Sequence, residues 1–351
     1  MNYKISFITI CHNRLAHLKM TLRQNIIDNL DYTNVEFVVV DYNCKQSTHK
    51  WVSENLSDFI KAGKLKSYQI KNNKGFDRSH SRNVGFLLSD GDIVCNVDAD
   101  NFCGNGFADY INTVFSNNPK TFMACGRGTP GAKDLLGRIA VRKQDFIAIK
   151  GYDESFQNYG FEDIDFKNRL RKLGRKEFAI QDVRFLRYLS HSDDLRYTYK
   201  GDIESILTML VRFENIGRST IFIIWHNGKL EKIDLVRTDL YEKASLAQTE
   251  FTEHEYALGP TGITHGLWKK DILGLRISIA NQTTIISNIH KRYFDEISKS
   301  HVWQVPDEQT IPILKFREEI PNREKMKANL NRDLKDINPH GFGYVEGLTI
   351  S

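Results

Sequence analysis

The chain has 351 residues, of which 40% are hydrophobic and 26% charged, a balance typical of a soluble globular protein with one large or two ordinary domains. Its 49 basic and 44 acidic side chains give a formal charge of +5 at pH 7 without a dominant charged block, which argues against a nucleic-acid partner. Five cysteines without a C-x-x-C pair predict reduced, mostly buried thiols rather than a disulfide framework or a cysteine zinc site.

Apolar strands alternate with amphipathic helices over the first 100 residues. An apolar run at residues 4–10 predicts a buried strand, and leucines and isoleucines at helical spacing over 15–30 predict the helix that follows it. The run VEFVVVD, which ends at Asp41, predicts a second strand, and residues 65–70 predict a third. A helix over 79–88 and the strand DIVCNVD continue the alternation, which predicts an α/β fold with a mostly parallel sheet covered by helices on both faces.

Polar side chains stand at the carboxyl ends of these predicted strands. Asn13 follows the first strand, Asp41 ends the second and Asp98 ends the strand DIVCNVD. Ligands of open parallel sheets bind at these ends, near the point where strand order reverses. The chain has neither G-x-G-x-x-G after the first strand nor G-x-x-x-x-G-K-[ST], so the sequence supports neither a dinucleotide dehydrogenase nor a P-loop ATPase.

The stretch NVDADNF carries two aspartates, Asp98 and Asp100, one residue apart after an apolar run. On an extended backbone such side chains point the same way, and their like charges repel unless a cation lies between them. Mg²⁺ and Mn²⁺ prefer carboxylate oxygen. Two solvated acids in a loop would give the same letters, so the position at a strand end favours the metal interpretation.

The pattern changes after residue 200. The run STIFIIWHNGKLEKIDLVRT predicts two strands joined by a turn at 227–228. Apolar residues between Met326 and Ile337 predict a narrow stripe on a basic helix that starts after Pro321 and stops before Pro339. Packing of this helix on its own domain is favoured over docking on a membrane or a partner.

Four segments appear in order at plausible spacing: TICHNR, VVVDYN, a glycine-led loop followed by SRNVG, and VDAD. Together they make roughly the first 195 residues resemble the nucleotide-sugar glycosyltransferases of the GT-A fold, particularly family 2. The resemblance implies that Asn13, Asp41, Arg82 and Asp98 bind a UDP-sugar donor, and that Asp98 and Asp100 hold Mn²⁺ or Mg²⁺. Arg82, near the start of a helix, would add a cation close to the diphosphate.

The segment GYDESFQNYGFEDIDFKNRLRKLG is similar to the acceptor-side segment of the β-1,4-galactosyltransferases and of bacterial chondroitin-type polymerases. Its acids Glu162, Asp163 and Asp165 fall in the predicted first turn of a helix, where capping alone would explain one of them. The resemblance implies that Asp163 is the general base for the acceptor hydroxyl, and that Glu162, Asp165 and Tyr159 bind the acceptor. The chain has YGF where the galactosyltransferases carry WGG.

The run YLSHSDD places His191 29 residues after Glu162. In the same relatives a histidine at about this distance completes the metal site, so the resemblance implies that His191 joins Asp98 and Asp100 as a ligand. Those galactosyltransferases place a methionine ligand three residues earlier, where this chain has Tyr188.

These features predict a metal-dependent, inverting glycosyltransferase that moves a hexose or N-acetylhexosamine from a UDP-sugar to a saccharide or glycolipid acceptor, in the synthesis of a surface polysaccharide or glycoconjugate. Inversion follows because a base would deprotonate the acceptor hydroxyl for direct attack opposite the departing UDP. Two alternatives stay open: a catalytically silent nucleotide-sugar-binding protein, and a retaining transferase on the same fold.

Residues 1–200 are predicted to form the GT-A domain, and residues 201–351 a C-terminal α+β accessory region for acceptor binding or assembly. The N-terminus lacks a basic region followed by a long apolar stretch, and no apolar run approaches the ~20 residues that span a bilayer. We therefore expect a cytoplasmic protein, with at most peripheral association at the inner face of the membrane. Whether the chain forms a homo-oligomer is left open.

Overall fold

The computed structural model describes residues 1–71, 75–126, 133–190, 203–215, 218–227, 230–236, 255–257, 267–271, 274–279, 282–286, 292–295, 300–305, 307 and 310–346. The chain divides into two compact units. One comprises Met1–Ser190 together with Asn322–Ser351, and the other comprises His191–Pro321. The return of the chain to the first unit after residue 321 differs from the predicted division, which assigned everything beyond residue 200 to the accessory region.

The first unit alternates strands and helices, and every element predicted over its first 100 residues is present. In chain order the elements are β1 (Ile5–Cys11), α1 (Leu15–Ile27), β2 (Val35–Tyr42), α2 (Thr48–Asn55), α3 (Ser57–Lys61), β3 (Leu65–Ile70), α4 (Arg78–Leu87), β4 (Ile93–Asn96), α5 (Phe107–Asn117), β5 (Thr121–Ala124), β6 (Ile139–Arg142), α6 (Lys143–Ala148), α7 (Glu162–Lys172) and β7 (Lys176–Ala179).

The seven strands form one sheet in the order β3-β2-β1-β4-β6-β5-β7. Strand β1 pairs in parallel with β2 on one side and with β4 on the other, so the strand order reverses there. Strand β6 runs antiparallel to both β4 and β5. The predicted α/β fold class with a mostly parallel sheet is therefore confirmed, and the carboxyl ends of β1 and β4 lie at the reversal point where such sheets bind ligands.

Alternate residues of the central strands enter two separate hydrophobic clusters, one on each face of the sheet. Phe7 and Val39 pack in the cluster that includes α1, α2 and α5. Their neighbours Ile8 and Val40 pack in the cluster that includes α4, α6 and α7. Because successive side chains of a strand point to opposite faces, both faces need apolar residues, which explains the unbroken apolar runs in the sequence. All five cysteines are free, and all except the half-buried Cys44 are buried, as predicted.

The second unit contains mainly antiparallel strands. In chain order they are β8 (Ile206–Asn215), β9 (Arg218–Trp225), β10 (Leu230–Val236), β11 (Glu255–Ala257), β12 (Leu267–Asp271), β13 (Gly274–Ile279), β14 (Gln282–Ile286), β15 (Arg292–Asp295) and β16 (Ser300–Gln304). They form a six-stranded sheet, β11-β10-β9-β8-β16-β15, and a three-stranded sheet, β12-β13-β14. Strands β9 and β10 pair antiparallel, which confirms the predicted hairpin.

Helix α8 (Thr310–Asn331) is longer than predicted and contains Pro321, where the sequence pattern places its start. The residues that this helix buries in the first unit also differ from the prediction. Leu330 of the expected apolar stripe is 52% exposed, whereas Asn322 and Asn329 are each 3% exposed. This face is buried through polar contacts, because both asparagines hydrogen-bond to other residues of the first unit, as described below. Among the residues that the structure describes, no helix is both long and apolar enough to cross a bilayer.

Residues 322–346 should contribute strongly to the stability of the first unit. Ile337 is 1% exposed, and the ring of Phe342 packs edge-on against Phe146 at 5.5 Å. Burying one such side chain contributes ~1.5–3 kcal/mol, and each hydrogen bond about 1 kcal/mol more. We therefore expect the free energy of unfolding, measured by urea denaturation, to be at least about 3 kcal/mol lower for a chain ending at residue 321 than for one ending at residue 346. Equal free energies for the two chains would contradict the packing described here.

Candidate active site

Helix α4 carries the SRNVG motif against the centre of the sheet. A Cβ atom on Gly85 would lie 2.6 Å from Cγ2 of Ile8 in β1, so only glycine permits this close approach. Asp77 caps the start of the helix, because its carboxylate accepts a hydrogen bond from the backbone N–H of His80 at 2.8 Å. One turn before Gly85, Arg82 is 7% exposed, and its buried guanidinium requires partners.

The acids Glu162, Asp163 and Asp165 lie on the first turn of helix α7, as predicted. The backbone that leads into this turn is unusual, because Asn158, Gly160 and Phe161 have φ values of +61°, +92° and +69°. Only glycine adopts such angles without cost, and a non-glycine residue there stores of order 1–3 kcal/mol. The conformation turns the start of α7, with Glu162 and Asp163, toward helix α4.

The guanidinium of Arg82 joins the donor-side and acceptor-side acids predicted from the sequence. Its Nη1 lies 2.5 Å from Oδ1 of Asp163 and 3.2 Å from Oε1 of Glu162, and its Nη2 lies 3.8 Å from Oδ1 of Asp98. The side chain of Glu162 is 7% exposed, that of Asp163 20% and that of Asp98 40%. The cluster therefore has a closed side at Glu162 and an open side at Asp98.

The charges of this cluster move its pKa values. Burial raises the pKa of Asp163 to about 7, with Arg82 opposing the rise and the acids Glu162 and Asp98 adding to it. Burial alone would lower the pKa of the Arg82 guanidinium, but the neighbouring carboxylates, that of Asp163 foremost, and Tyr152 raise it above its usual range. A carboxyl group that titrates near neutrality is suited to accept a proton at physiological pH.

Gly137 lies directly against the cluster. A Cβ atom there would be 2.9 Å from Nη2 of Arg82, 3.2 Å from Oδ2 of Asp98 and 3.5 Å from Oδ2 of Asp163. The carbonyl of Gly137 also accepts a hydrogen bond from Asn96 Nδ2, which in turn donates to Asp98. Asn96 thus links Asp98 to the backbone that covers the cluster, and the missing side chain at 137 leaves space beside all three charged groups.

Asp98 and Asp100 form a D-x-D motif, and Asp100 lies beside the chain that follows the 3-10 turn at Val183–Phe185. The backbone N–H of Leu189 donates to the carbonyl of Asp100 at 2.7 Å, and Asn101 pairs with Tyr188 in a short antiparallel bridge. Within the described ranges, no three His, Cys, Asp or Glu side chains come together as a metal site. The predicted ligand His191 lies outside the described residues.

The predicted nucleotide residues Asn13 and Asp41 bind groups on neighbouring segments of the chain. Asn13, at a φ of +55°, accepts a hydrogen bond from the Lys45 N–H at 2.7 Å through its side chain. Asp41 is 1% exposed, and its carboxylate accepts from the N–H of His49 at 3.0 Å and from Gln69 Nε2 at 3.3 Å. Both side chains therefore shape the edge of the sheet at the ends of β1 and β2.

The two remaining acceptor-side predictions differ in their surroundings. Tyr159 is half-buried, and the guanidinium of Arg78 lies 4.5 Å from the centre of its ring. Asp165 is 1% exposed, and its carboxylate binds Arg169 Nε at 2.7 Å and Asn329 Nδ2 at 2.9 Å. In this arrangement Asp165 offers no free surface to an acceptor sugar, and its contacts instead hold the second turn of α7.

Asn83 is a site residue that the sequence reasoning missed. Its Oδ1 accepts from the N–H of Tyr152 at 2.7 Å, and its Nδ2 donates to the carbonyl of Tyr152 and to Glu154 Oε1, each at 2.8 Å. Asn83 therefore fixes helix α4 to the start of the acid-bearing segment. Its place inside the SRNVG motif, next to Arg82, was the available signal. Gly137, by contrast, has no sequence signal at all.

Comparisons with known proteins show partial similarity to glycosyltransferases. Residues 125–192, which include the first turn of α7, match the family described as the N-terminal domain of galactosyltransferase. A probable glycosyltransferase, YdaM of Bacillus subtilis (strain 168), is 32% identical over 142 residues, which are 39% of this chain and 32% of the relative. The chain thus spans about a third of the length of this curated relative. The resemblance to glycosyltransferases that the motifs indicate is confirmed.

Solved structures show partial similarity. The mannosyltransferase PcManGT from Pyrobaculum calidifontis, in complex with GDP-Man and Mn²⁺, is 17% identical over 52% of this chain and 55% of that chain, with a TM-score of 0.43. S. aureus TarS 1-349 in complex with UDP is 18% identical over 56% of this chain and 63% of that chain, also with a TM-score of 0.43.

The ion pair between Arg82 and Asp163 implies that the pKa of Asp163 depends on the charge of Arg82. In Arg82→Gln the positive charge that favours the carboxylate is lost, so the pKa of Asp163 should rise from about 7 to roughly 8 or above. A pH titration of the ¹³C carboxyl signal by NMR measures it directly. Arg78→Gln, which removes the same charge one turn earlier on α4, is the matched control and should leave this pKa nearly unchanged. An unchanged or lower pKa in Arg82→Gln would show that Arg82 does not govern Asp163.

Proposed function

We propose that this chain is a metal-dependent, inverting glycosyltransferase that moves a hexose or N-acetylhexosamine from a UDP-sugar to a saccharide or glycolipid acceptor. The observation that carries the proposal is the contact of one guanidinium, that of Arg82, with Asp98 of the D-x-D motif and with Glu162 and Asp163 of the acceptor-side motif. Motifs 60 or more residues apart in the chain thus meet in one cluster at the reversal point of the sheet. The match of residues 125–192 to a galactosyltransferase family supports the same reaction class.

Asp163 has the properties that the proposed base requires. Its side chain is partly accessible, and its pKa of about 7 matches a proton acceptor that works near neutrality. In the proposed step the carboxylate takes the proton of the acceptor hydroxyl while that oxygen bonds to the anomeric carbon of the donor. The bond from this carbon to the diphosphate breaks, and its electron pair leaves with UDP. Attack opposite the leaving group inverts the anomeric configuration.

Arg82 has two proposed roles. Its short contact with Asp163 orients the carboxylate and keeps a fraction of it ionised at neutral pH. The same guanidinium adds positive charge on the donor side, next to Asp98, where negative charge develops on the diphosphate. Glu162, buried beside Asp163, is proposed to bind the acceptor together with Tyr159, and Asp165 to hold helix α7 in place.

The residues around the D-x-D motif fit a hard divalent cation. Asp98 presents a carboxylate that is 40% exposed. The buried side-chain oxygens of Asn96 and Asn101, on either side of the motif, have no hydrogen-bond partner within the part of the chain that the structure describes. Such an oxygen-rich environment suits Mn²⁺ or Mg²⁺.

We propose Asp98, Asp100 and His191 as ligands of the cation. The choice of these three residues rests on the sequence motifs that contain them. When bound, the ion would act as a Lewis acid that stabilises the charge on the diphosphate. Asn13 and Asp41, at the ends of β1 and β2, are proposed to form the side of the site that holds the uridine.

The substitution Asp163→Asn tests the proposed base. The amide keeps the shape of the side chain but cannot accept a proton at neutral pH. Transfer should therefore fall by ~10²- to 10⁴-fold, while UDP affinity changes little. The matched control is Glu162→Gln on the adjacent position, where we expect the acceptor KM to rise with a smaller effect on kcat. Near-full transfer by Asp163→Asn would contradict the assignment.

The assay behind this test is a screen of UDP-sugars with Mn²⁺ and saccharide acceptors, in which NMR identifies the anomeric configuration of the product. Retention of configuration would favour the retaining alternative. UDP binding without turnover across the acceptors would favour a silent nucleotide-sugar-binding protein.

The metal proposal predicts cation-dependent nucleotide binding. EDTA should abolish transfer and weaken UDP binding, and Mn²⁺ should restore both. Loss of one ligand in Asp100→Ala or His191→Ala should weaken Mn²⁺-dependent UDP binding, measured by calorimetry, by at least about tenfold. Asp31→Ala, at an exposed acid outside the cluster, is the control. UDP affinity that is the same in Mn²⁺ and in EDTA would contradict the proposal, and full metal dependence in His191→Ala would remove that residue from the site.

A further inference from the structure

The last turns of helix α8, which belong to the first unit, carry buried amides on the side that packs on the rest of that unit. Asn322 and Asn329 are seven residues apart, two helical turns, so they share one face. Each is 3% exposed. A buried amide costs about 1–3 kcal/mol if its hydrogen bonds are not made, so such a face is stable only against matching polar groups.

The amide of Asn322 binds the backbone just before helix α7. Its Nδ2 donates to the carbonyl of Gln157 at 2.6 Å and to that of Tyr159 at 3.1 Å, and its Oδ1 accepts from the Gln157 N–H at 3.4 Å. These bonds fall on both sides of Asn158, whose φ is +61°, and immediately before Gly160, at +92°. One side chain thus binds the backbone on both sides of the first left-handed residue of the stretch that leads into α7.

Neighbouring residues of α8 reinforce this contact. The guanidinium of Arg323 lies 5.0 Å from the ring centre of Phe161, the residue at φ +69° that directly precedes Glu162. Asn329 Nδ2 donates to Asp153 at 2.8 Å and to Asp165 at 2.9 Å. The helix therefore binds the acid-bearing segment before, at and after the turn that carries Glu162 and Asp163.

We infer that Asn322 is a positioning residue for Asp163: it holds residues 157–161 in the strained conformation that brings the acid pair against Arg82. The inference rests on the proposed function for its catalytic consequence, but the conformational claim stands on contacts alone. Among the described residues, the hydrogen bonds of the Asn322 side chain go to Gln157 and Tyr159 and not to the acids beside Arg82, so its effect on Asp163 passes through the backbone of the segment. The strain stored at Phe161 makes this dependence strong, because an unsupported segment would relax.

Hydrogen–deuterium exchange of the full chain tests the conformational claim without any assay of activity. In Asn322→Ala the amides of residues 157–163 should exchange about tenfold faster or more. The reason is that the lost hydrogen bonds together stabilise the closed segment by at least the free energy that corresponds to a tenfold change in its opening equilibrium. Amides of β1 and β2 should not change. Glu324→Ala, at a 56% exposed residue of the same helix, is the matched control and should leave residues 157–163 as they are.

A second variant covers the case in which Asn322→Ala folds poorly. Asn322→Asp keeps an acceptor for the Gln157 N–H but loses both donations to carbonyls, and it should accelerate exchange at the same amides. Unchanged exchange at residues 157–163 in a folded variant would overturn the inference, as would equal acceleration at β1 and β2 in both variants.

The expected catalytic consequence is a lower kcat with unchanged donor binding. Displacement of a reacting group by about 1 Å can cost ~10²-fold, so kcat of Asn322→Ala should fall by about 10- to 100-fold while UDP affinity stays within about twofold. An unchanged kcat together with faster local exchange would show that the segment does not position the base. If the unaltered protein transfers no sugar, the proposed function fails, and the exchange data still decide whether Asn322 holds the segment.

Discussion

Three carboxylates, those of Asp98, Glu162 and Asp163, surround the guanidinium of Arg82. Among the ion pairs of the described residues, no other positive group contacts these three acids. One positive charge against three carboxyl groups leaves excess negative charge in a partly buried place. Burial is the largest cause of the rise of the Asp163 pKa to about 7; Arg82 opposes that rise, and the negative charges of Glu162 and Asp98 add to it. The excess negative charge suits the proposed divalent cation on the exposed side of the cluster, at Asp98.

Holding these charges together requires exact backbone placement from three elements. Gly85 lets α4 approach β1, Asn83 fixes α4 to residue 152, and the left-handed backbone at Phe161 turns α7 toward Arg82. Each of these features is locally unfavourable. Glycine lowers the stability of a helix, a buried amide needs hydrogen-bond partners, and a positive φ strains an aromatic residue. Such costs persist at a site where the surrounding structure supplies compensating contacts, and the asparagines of α8 supply some of them here.

The sequence predicted the sheet well because strands buried on both faces are written as continuous apolar runs, such as that of β2. It also predicted that Asp98 and Asp163 belong to one site, although only the fold brings them together. It assigned Asp163 to the base and Asp165 to acceptor binding, but it did not predict the buried ion pair of Asp165 with Arg169, because the direction in which each acid of a helical turn points depends on packing. The docking face of α8 was missed for a related reason: periodicity reveals apolar faces, whereas Asn322 docks through hydrogen bonds.

The central claim is that Arg82 and Asp163 interact directly and link α4 to α7. A double-mutant cycle of Arg82→Gln and Asp163→Asn, read as the free energy of unfolding at pH 8, tests it most directly, since it isolates the pairwise energy from other effects of each substitution. We predict that the double variant is more stable than the sum of the single effects implies, with a coupling energy of about 1–3 kcal/mol. Additivity within about 0.5 kcal/mol would contradict the account.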